Sequence, residues 1–383
     1  MKLETFAMER LQSTWENLVQ LNISESGVEP LRVEELLDDP SALPALLAQP
    51  LAYLQTNGTE ELRASIARLY PGAATTNVLV TNGGSEANCV ALMHLVQPGD
   101  EAVMMTPNYM QVGGLARALG ASVRRWPLAA RSDPAPRWHV DLDALDALVT
   151  ARTKAIMICN PNNPTGARTT AAELDAICRA AARVGAWVLS DEIYRGAEQD
   201  GVETPSVWGR YERAVITSGL SKAYGLPGLR IGWVAGPADL VEELWGVHDY
   251  TTIAPGALND RLARLALAPE RRERLLSRTR AIIRSNYAIV RDWIDRHHPL
   301  LWHVPPEAGA IALVRYRHAI NSTTLVDRLR VERGVLVVPG DHFEMDGYLR
   351  VGFGSNPAHL RESLARIGEM LATIPAAAPA DAR

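Results

Sequence analysis

Seven short apolar runs, at 77–81, 101–106, 122–127, 155–159, 187–190, 214–217 and 231–235, punctuate the middle of this chain. Each is rich in Val, Ile, Met or Trp and has the length of a strand rather than of a buried helix. Amphipathic stretches at 85–96, 113–118 and 170–184 lie between them. This β-α-β rhythm permits few architectures, because strands without polar alternation must be covered on both faces. The pattern predicts an α/β fold whose large domain is a mostly parallel sheet sandwiched by helices.

From about residue 258 to 297 the character changes to an Arg-rich helical stretch broken near Pro269. Strand-like pieces follow at 311–315, 335–338 and 348–353, with a helix at 323–332 and another after Pro357. We expect a smaller α+β domain there. The division predicted is an N-terminal arm at 1–40 that contributes to the small domain, a large domain at 41–264, a small domain at 265–374 and an Ala/Pro-rich frayed tail at 375–383. There is no internal repeat.

With 383 residues, 47% apolar and 22% charged, the chain can bury a core of two domains. A net charge of -5 without a clustered basic run excludes a general attraction to nucleic acid or anionic membranes. Cys89, Cys159 and Cys178 sit in apolar surroundings without metal-ligand spacing, as expected of reduced thiols in a cytoplasmic protein. The first ten residues carry charge where a signal peptide needs an apolar stretch, so neither export nor a membrane location is expected.

Four segments carry candidate chemistry. Lys222 lies among small and apolar residues, with Arg230 eight positions on. Desolvation in such a setting lowers an amine's pKa and leaves it free to attack an aldehyde, although a lysine in a Gly-rich loop can equally be a solvated surface group. The segment Thr81-Asn-Gly-Gly-Ser-Glu-Ala-Asn88 follows a predicted strand. Its glycines let the backbone approach an anion, and Ser85 stands where the next helix begins; a plain turn with Ser85 as helix cap is the alternative. Neither a Walker lysine nor a full Gly-x-Gly-x-x-Gly is present, which weakens an ATP or NAD reading.

The third segment, Asn160-Pro-Asn-Asn-Pro-Thr-Gly166, directly follows a strand, at the edge where open α/β sheets bind ligands. The fourth, Ser190-Asp-Glu-Ile-Tyr194, projects an acid and a phenol from the same edge. A carboxylate at the end of an apolar strand is costly unless it meets a cation, and a pyridinium nitrogen is one such cation.

Taken in order, Tyr53-x4-Gly58, Gly83-Gly-Ser-Glu86, Tyr109, Asn160 to Gly166, Asp191-Glu-Ile-Tyr194, Ser221-Lys222, Arg230 and Arg350 resemble the class I/II pyridoxal-phosphate-dependent aminotransferases of fold type I. The resemblance spans roughly residues 22 to 370. It implies pyridoxal 5'-phosphate as cofactor and Lys222 as the residue that forms the internal aldimine and later shuttles a proton. Asp191 is implied as partner of the pyridine nitrogen, Asn163 and Tyr194 as partners of the ring hydroxyl oxygen, and Tyr109 as a stacking ring. Gly84, Ser85, Ser218, Ser221 and Arg230 are implied around the phosphate, with Tyr53 reaching across a homodimer interface. Arg350 is implied as the grip on the substrate α-carboxylate, with Asn163 and Gly27 beside it; a surface ion pair is the other reading of Arg350. One departure stands out: many relatives carry a hydroxyl residue three positions before the lysine, where this chain has Gly219, with Ser218 one step earlier.

The expected activity is transfer of an amino group between an L-amino acid and a 2-oxo acid. No second arginine is placed to bind a dicarboxylate side chain. Glu4, Glu9, Trp15 and Glu16 lie in a segment that in such relatives often closes over the site, which suits a polar or basic amino acid, or else these glutamates solvate a helix face. The segments 221–233, 248–250 and 334–340 are similar to the capreomycidine synthase-like subgroup, so elimination, replacement or cyclisation at the substrate's β-carbon is the alternative activity. A transcription regulator built on the same fold would need a DNA-binding segment, for which too few residues precede Asn22. A nucleotide-binding α/β protein would bind ATP or NAD and show no visible absorbance.

Overall fold

The computed structural model describes residues 2–37, 39–131 and 136–377. The helix Ala7–Trp15 and the short strand β1 (Leu21–Asn22) lead into an eight-stranded sheet. Its strands are β2 (Val78–Thr81), β3 (Glu101–Thr106), β4 (Ser122–Arg131), β5 (Arg137–Val140), β6 (Thr153–Cys159), β7 (Trp187–Asp191), β8 (Ala214–Gly219) and β9 (Gly232–Ala235). They lie in the order β2-β9-β8-β7-β6-β3-β4-β5. Pairings among β4, β3, β6, β7 and β8 are parallel, whereas β9 runs antiparallel to both β2 and β8, and β5 antiparallel to β4.

Every residue of β2, β3, β8 and β9 is buried, which is why these strands show no polar alternation. One face packs Val80, Val103, Ile156, Val188 and Ile216 into a core continuous with the small domain; the other packs Leu79, Met104, Met157, Leu189 and Val215 against the helices Gly84–Leu95 and Ala238–His248. Each such side chain contributes about 1.5–3 kcal/mol on burial.

The helical stretch that the sequence broke near Pro269 is two helices, Ala257–Ala266 and Pro269–Arg296, and the proline opens the second, where its missing N–H costs nothing. The small sheet takes β10 (Leu301–His303), β11 (Ile311–Tyr316), β13 (Val338–Pro339) and β14 (Tyr348–Gly352) in the antiparallel order β10-β11-β14-β13. The run expected at 335–338 is in fact two strands in two sheets: β12 (Val335–Leu336) pairs in parallel with β1, tying the N-terminal arm to this region, before β13 joins β14. Residues 375–377 of the expected tail run beside 317–319, where Ala377 N–H donates to the Arg317 carbonyl and Ala376 bridges His318. Residues 378–383 lie outside the described residues.

Candidate active site

The carboxyl ends of β2, β3, β6, β7 and β8 open on one cavity of about 290 Å³. Gly84, Ser85, Tyr109, Asn163, Asp191, Tyr194, Ser221, Lys222 and Arg230 all line it, joined by Met8, Glu9, Gln12, Glu16, Glu25, Ser26 and Asn88. Convergence there follows from sheet topology, since each parallel strand delivers its following loop to the same edge.

After β2 the backbone turns at Gly83, at φ +89°, and the helix Gly84–Leu95 starts without a side-chain cap, with Gly84 and Ser85 of its first turn lining the cavity. A Cβ on Gly83 would lie 2.3 Å from the Arg230 guanidinium, and one on Gly232 would lie 2.3 Å from the Gly83 backbone carbon. Glycine at both positions lets the guanidinium and the helix start share one cradle. Arg230 itself sits in the left-handed region at φ +47°, a conformation that costs a non-glycine residue about 1–3 kcal/mol and clusters at functional sites. A cation beside a helix N-terminus with small side chains around it fits a phosphate.

Asp191 ends β7, buried. Its Oδ2 accepts from Asn88 Nδ2 at 3.0 Å and its Oδ1 from the Ile193 N–H at 3.1 Å, while Asn88 Oδ1 accepts from the Thr217 hydroxyl at 2.6 Å. Among the described residues it makes no ion pair, and burial pushes its carboxyl above the usual range despite these donors. A fixed, buried carboxylate without a cation is suited to a cationic ligand atom such as a protonated pyridine nitrogen.

Tyr194, which burial pushes up to about 12, donates to Ser26 Oγ at 2.8 Å. Tyr109 donates to Glu9 Oε1 at 2.8 Å, lies 3.4 Å from Ser85 Oγ, and meets Phe6 edge-on at 5.0 Å between centroids. Arg350, on β14, is 1% exposed. Its Nη1 donates to Asn163 Oδ1 at 3.0 Å and to the Met8 sulfur at 3.3 Å, its Nη2 to the Ser24 carbonyl at 2.6 Å, and its Nε has no partner. A surface ion pair is therefore not what this arginine forms. It lies behind Asn163, under Met8 of the N-terminal helix.

Lys222 departs from the apolar-context expectation. Burial is the largest influence and lowers its pKa, but the carboxylate of Glu25, 2.5 Å from Nζ, and the Tyr194 phenol together act against it, and the net direction is upward. Gly27 packs beside the pair; a Cβ there would lie 3.4 Å from Glu25 Oε1 and 3.7 Å from Lys222 Cδ. Of the chain's three lysines, Lys2 and Lys154 are exposed.

Four sequence candidates do not line the cavity: Arg350 and Gly27, which lie just behind it, and Ser218 and Tyr53. The Ser218 hydroxyl is buried and donates to the Glu192 carbonyl at 3.2 Å. The residue after it has no room for a hydroxyl side chain, because a Cβ on Gly219 would lie 2.8 Å from the Ile231 carbonyl oxygen and 3.0 Å from Gly232 Cα. Tyr53 is 85% exposed and reaches nothing in this chain's cavity. Conversely, Asn88, Glu25 and Ser26 are lining residues that motif reading passed over. Asn88 was within reach of it, since it stands one helical turn after Gly84 on the same face.

The model of the family described as aminotransferase class I and II matches residues 41–367. The capreomycidine synthase of Streptomyces vinaceus is 36% identical over 356 residues, 92% of this chain and 90% of that protein. Among solved structures, a PLP-dependent aminotransferase from Streptococcus suis superposes with a TM-score of 0.90 at 34% identity, covering 97% of this chain and 99% of its own. The PLP-dependent cyclase OrfR superposes with a TM-score of 0.87 at 29% identity, covering 97% and 98%. A matched sheet, a cavity at its carboxyl edge and a family model spanning most of the length agree: this chain belongs to the class I and II aminotransferases.

Proposed function

We propose that the chain moves an amino group between an L-amino acid and a 2-oxo acid with pyridoxal 5'-phosphate held by Lys222. The observation that carries this reading is a single cavity in which the only unexposed lysine, a buried carboxylate that makes no ion pair among the described residues, and a guanidinium at a helix start line the wall together. When bound, the cofactor supplies an electron sink that weakens the covalent Cα–H bond of the substrate.

The residues divide that work. Arg230, Gly84, Ser85 and Ser221 hold the phosphate, and Asp191, braced by Asn88, keeps the pyridine nitrogen protonated. Asn163 and Tyr194 hold the ring hydroxyl oxygen, and Tyr109 covers the ring. Arg350 takes the substrate carboxylate in a two-pronged grip, with Asn163 and Gly27 beside it, which orients the Cα–H bond toward Lys222 Nζ. Lys222 then takes and returns that proton. Met8 and Gln12 of the N-terminal helix exclude water above Arg350. Tyr53, exposed in one chain, serves the site of a second copy in a homodimer, and the setting is cytoplasmic.

A second reading, loss or replacement of a β-substituent or cyclisation on a polar or basic amino acid, is favoured by one observation: Glu9, Glu16 and Glu25 line the cavity, and among the described residues Arg230 is the one arginine that lines it. It agrees with the likeness to a capreomycidine synthase and a cyclase. The two readings separate when the protein is incubated with single amino acids, with and without pyruvate or 2-oxoglutarate. Oxo-acid formation that requires an acceptor supports transfer; ammonia release without one overturns it in favour of elimination.

A further inference from the structure

Glu25 touches Lys222 directly. Its Oε1 accepts three hydrogen bonds, from the Ser26 N–H at 2.9 Å, the Gly27 N–H at 2.9 Å and Lys222 Nζ at 2.5 Å. The two backbone donors hold the carboxylate in place whether or not the lysine is present. The loop that carries it is fastened on three sides: Arg350 donates to the Ser24 carbonyl, Gln12 to the same carbonyl at 3.0 Å, and Tyr194 to Ser26 Oγ. The carboxylate therefore keeps two donors of its own when its lysine partner changes.

We propose that Glu25 is a positioning residue for the lysine chemistry: it stabilises the ammonium form of Lys222, both in the cofactor-free chain and after the neutral amine released during turnover has taken a proton. This rests on the reading of Lys222 as the cofactor-bearing residue. The other groups that act on the lysine do not replace Glu25. Arg350, from β14, opposes a proton on Nζ; Tyr194, after β7, keeps its own proton across the physiological range; Asp191, at the end of β7, is pinned by Asn88. From the N-terminal helix, Glu16 and Glu9 add negative potential, and burial together with Glu25 and Glu9 pushes Glu16 up, which leaves it the weaker anion. Glu25 itself is held down at about 2, first by Lys222 and then by its hydrogen bonds, so it stays charged wherever the protein is folded and active.

Two consequences follow for Lys222. In the cofactor-free chain it is an ammonium, so attachment of an aldehyde waits for loss of a proton and accelerates with pH. During turnover, a proton taken from the substrate's Cα comes to rest on Nζ beside an anion, which delays its return and lengthens the interval in which a β-substituent can depart with its bonding electron pair. Glu25 thus tilts the chemistry of this site away from rapid proton return.

The test needs no turnover. Cofactor-free protein is labelled briefly with acetic anhydride across pH 7 to 11, and acetylation of Lys2, Lys154 and Lys222 is followed peptide by peptide, with the two exposed lysines as internal references. In the wild type Lys222 should reach half-maximal reactivity at higher pH than Lys154. Glu25→Gln should lower that midpoint by at least about one unit, a tenfold gain in free amine at pH 8, and leave Lys154 unchanged. Glu25→Asp, which keeps the charge, should retain the high midpoint. A wild-type midpoint at or below that of Lys154, no shift in Glu25→Gln, or an equal shift in Glu25→Asp would each overturn the proposal. Uptake of pyridoxal phosphate, measured separately by visible absorbance, reports on the cofactor reading alone.

Discussion

Arg350 Nη1 donates to Asn163 Oδ1 at 3.0 Å, joining β14 of the small sheet to the loop after β6. One asparagine therefore serves both the proposed cofactor contact and the proposed substrate contact. Because the guanidinium is buried, its loss takes the donor from Asn163 Oδ1 and leaves the Ser24 carbonyl to Gln12 alone.

Arg350→Ala should weaken amino-acid binding by about 2–5 kcal/mol while changing pyridoxal phosphate affinity far less. Arg350→Lys should not restore binding, since a point charge cannot make both contacts. Titration of each ligand by calorimetry reads the two affinities separately; equal losses in both would refute the carboxylate role.

Asn88 supports Asp191 from behind, passing a hydrogen bond from Thr217 to the carboxylate. Asn88→Ala removes a donor that holds the Asp191 pKa down, so the carboxyl moves further upward, toward its neutral form. We expect a stability loss of about 1–3 kcal/mol and weaker retention of the cofactor on dialysis. Unchanged retention in the folded variant would count against Asp191 as the partner of the ring nitrogen.

Gly219 and Gly232 test the steric account of the cradle. Gly219→Ser, which restores the hydroxyl common in relatives, should destabilise the protein by about 1–3 kcal/mol instead of improving phosphate binding, because its Cβ meets the Ile231 carbonyl. Gly232→Ala meets the Gly83 backbone and should be worse. Thermal melts with and without pyridoxal phosphate decide; a Gly219→Ser protein that is both stable and tighter in cofactor binding would show that the space exists.

His303 offers a prediction away from the site. Burial pushes it down to about 4, and its Nε2 lies 2.8 Å from the Tyr287 hydroxyl. Between pH 6.5 and 4 the unfolded chain takes up a proton there that the folded chain refuses. Stability from this residue is thus complete above about pH 6.5 and is lost as pH falls toward 4, by about 3 kcal/mol in all. Urea unfolding at pH 5 and 7 should show a smaller difference in His303→Gln than in the wild type.

The fold was legible wherever burial was complete. Strands such as β3 and β6 announce themselves as apolar runs closed by Pro or Asn, and Asn160 to Gly166 and Lys222 to Arg230 mark sheet-edge loops by residue type. By contrast β5, Arg-Trp-His-Val, is half-polar and pairs only with β4, and β10 has three residues, too few for a pattern. The antiparallel run of β9 is set by packing between β2 and β8, which no local signal encodes. In the site, Glu25 and Lys222 stand 197 positions apart and Met8 and Arg350 stand 342 apart. Such pairings have no spacing to read, and the carboxylate that acts against burial on the lysine lay hidden in a polar turn.

The central claim is that Lys222 carries pyridoxal phosphate. Borohydride reduction of the protein after incubation with the cofactor, followed by peptide mass mapping, tests it most directly, because the chain has only three lysines to distinguish. The account predicts a yellow protein with one phosphopyridoxyl group on the peptide containing Lys222, and neither colour nor label in Lys222→Ala. A colourless protein that takes up no cofactor, or a label on Lys2 or Lys154 that persists in Lys222→Ala, would contradict it.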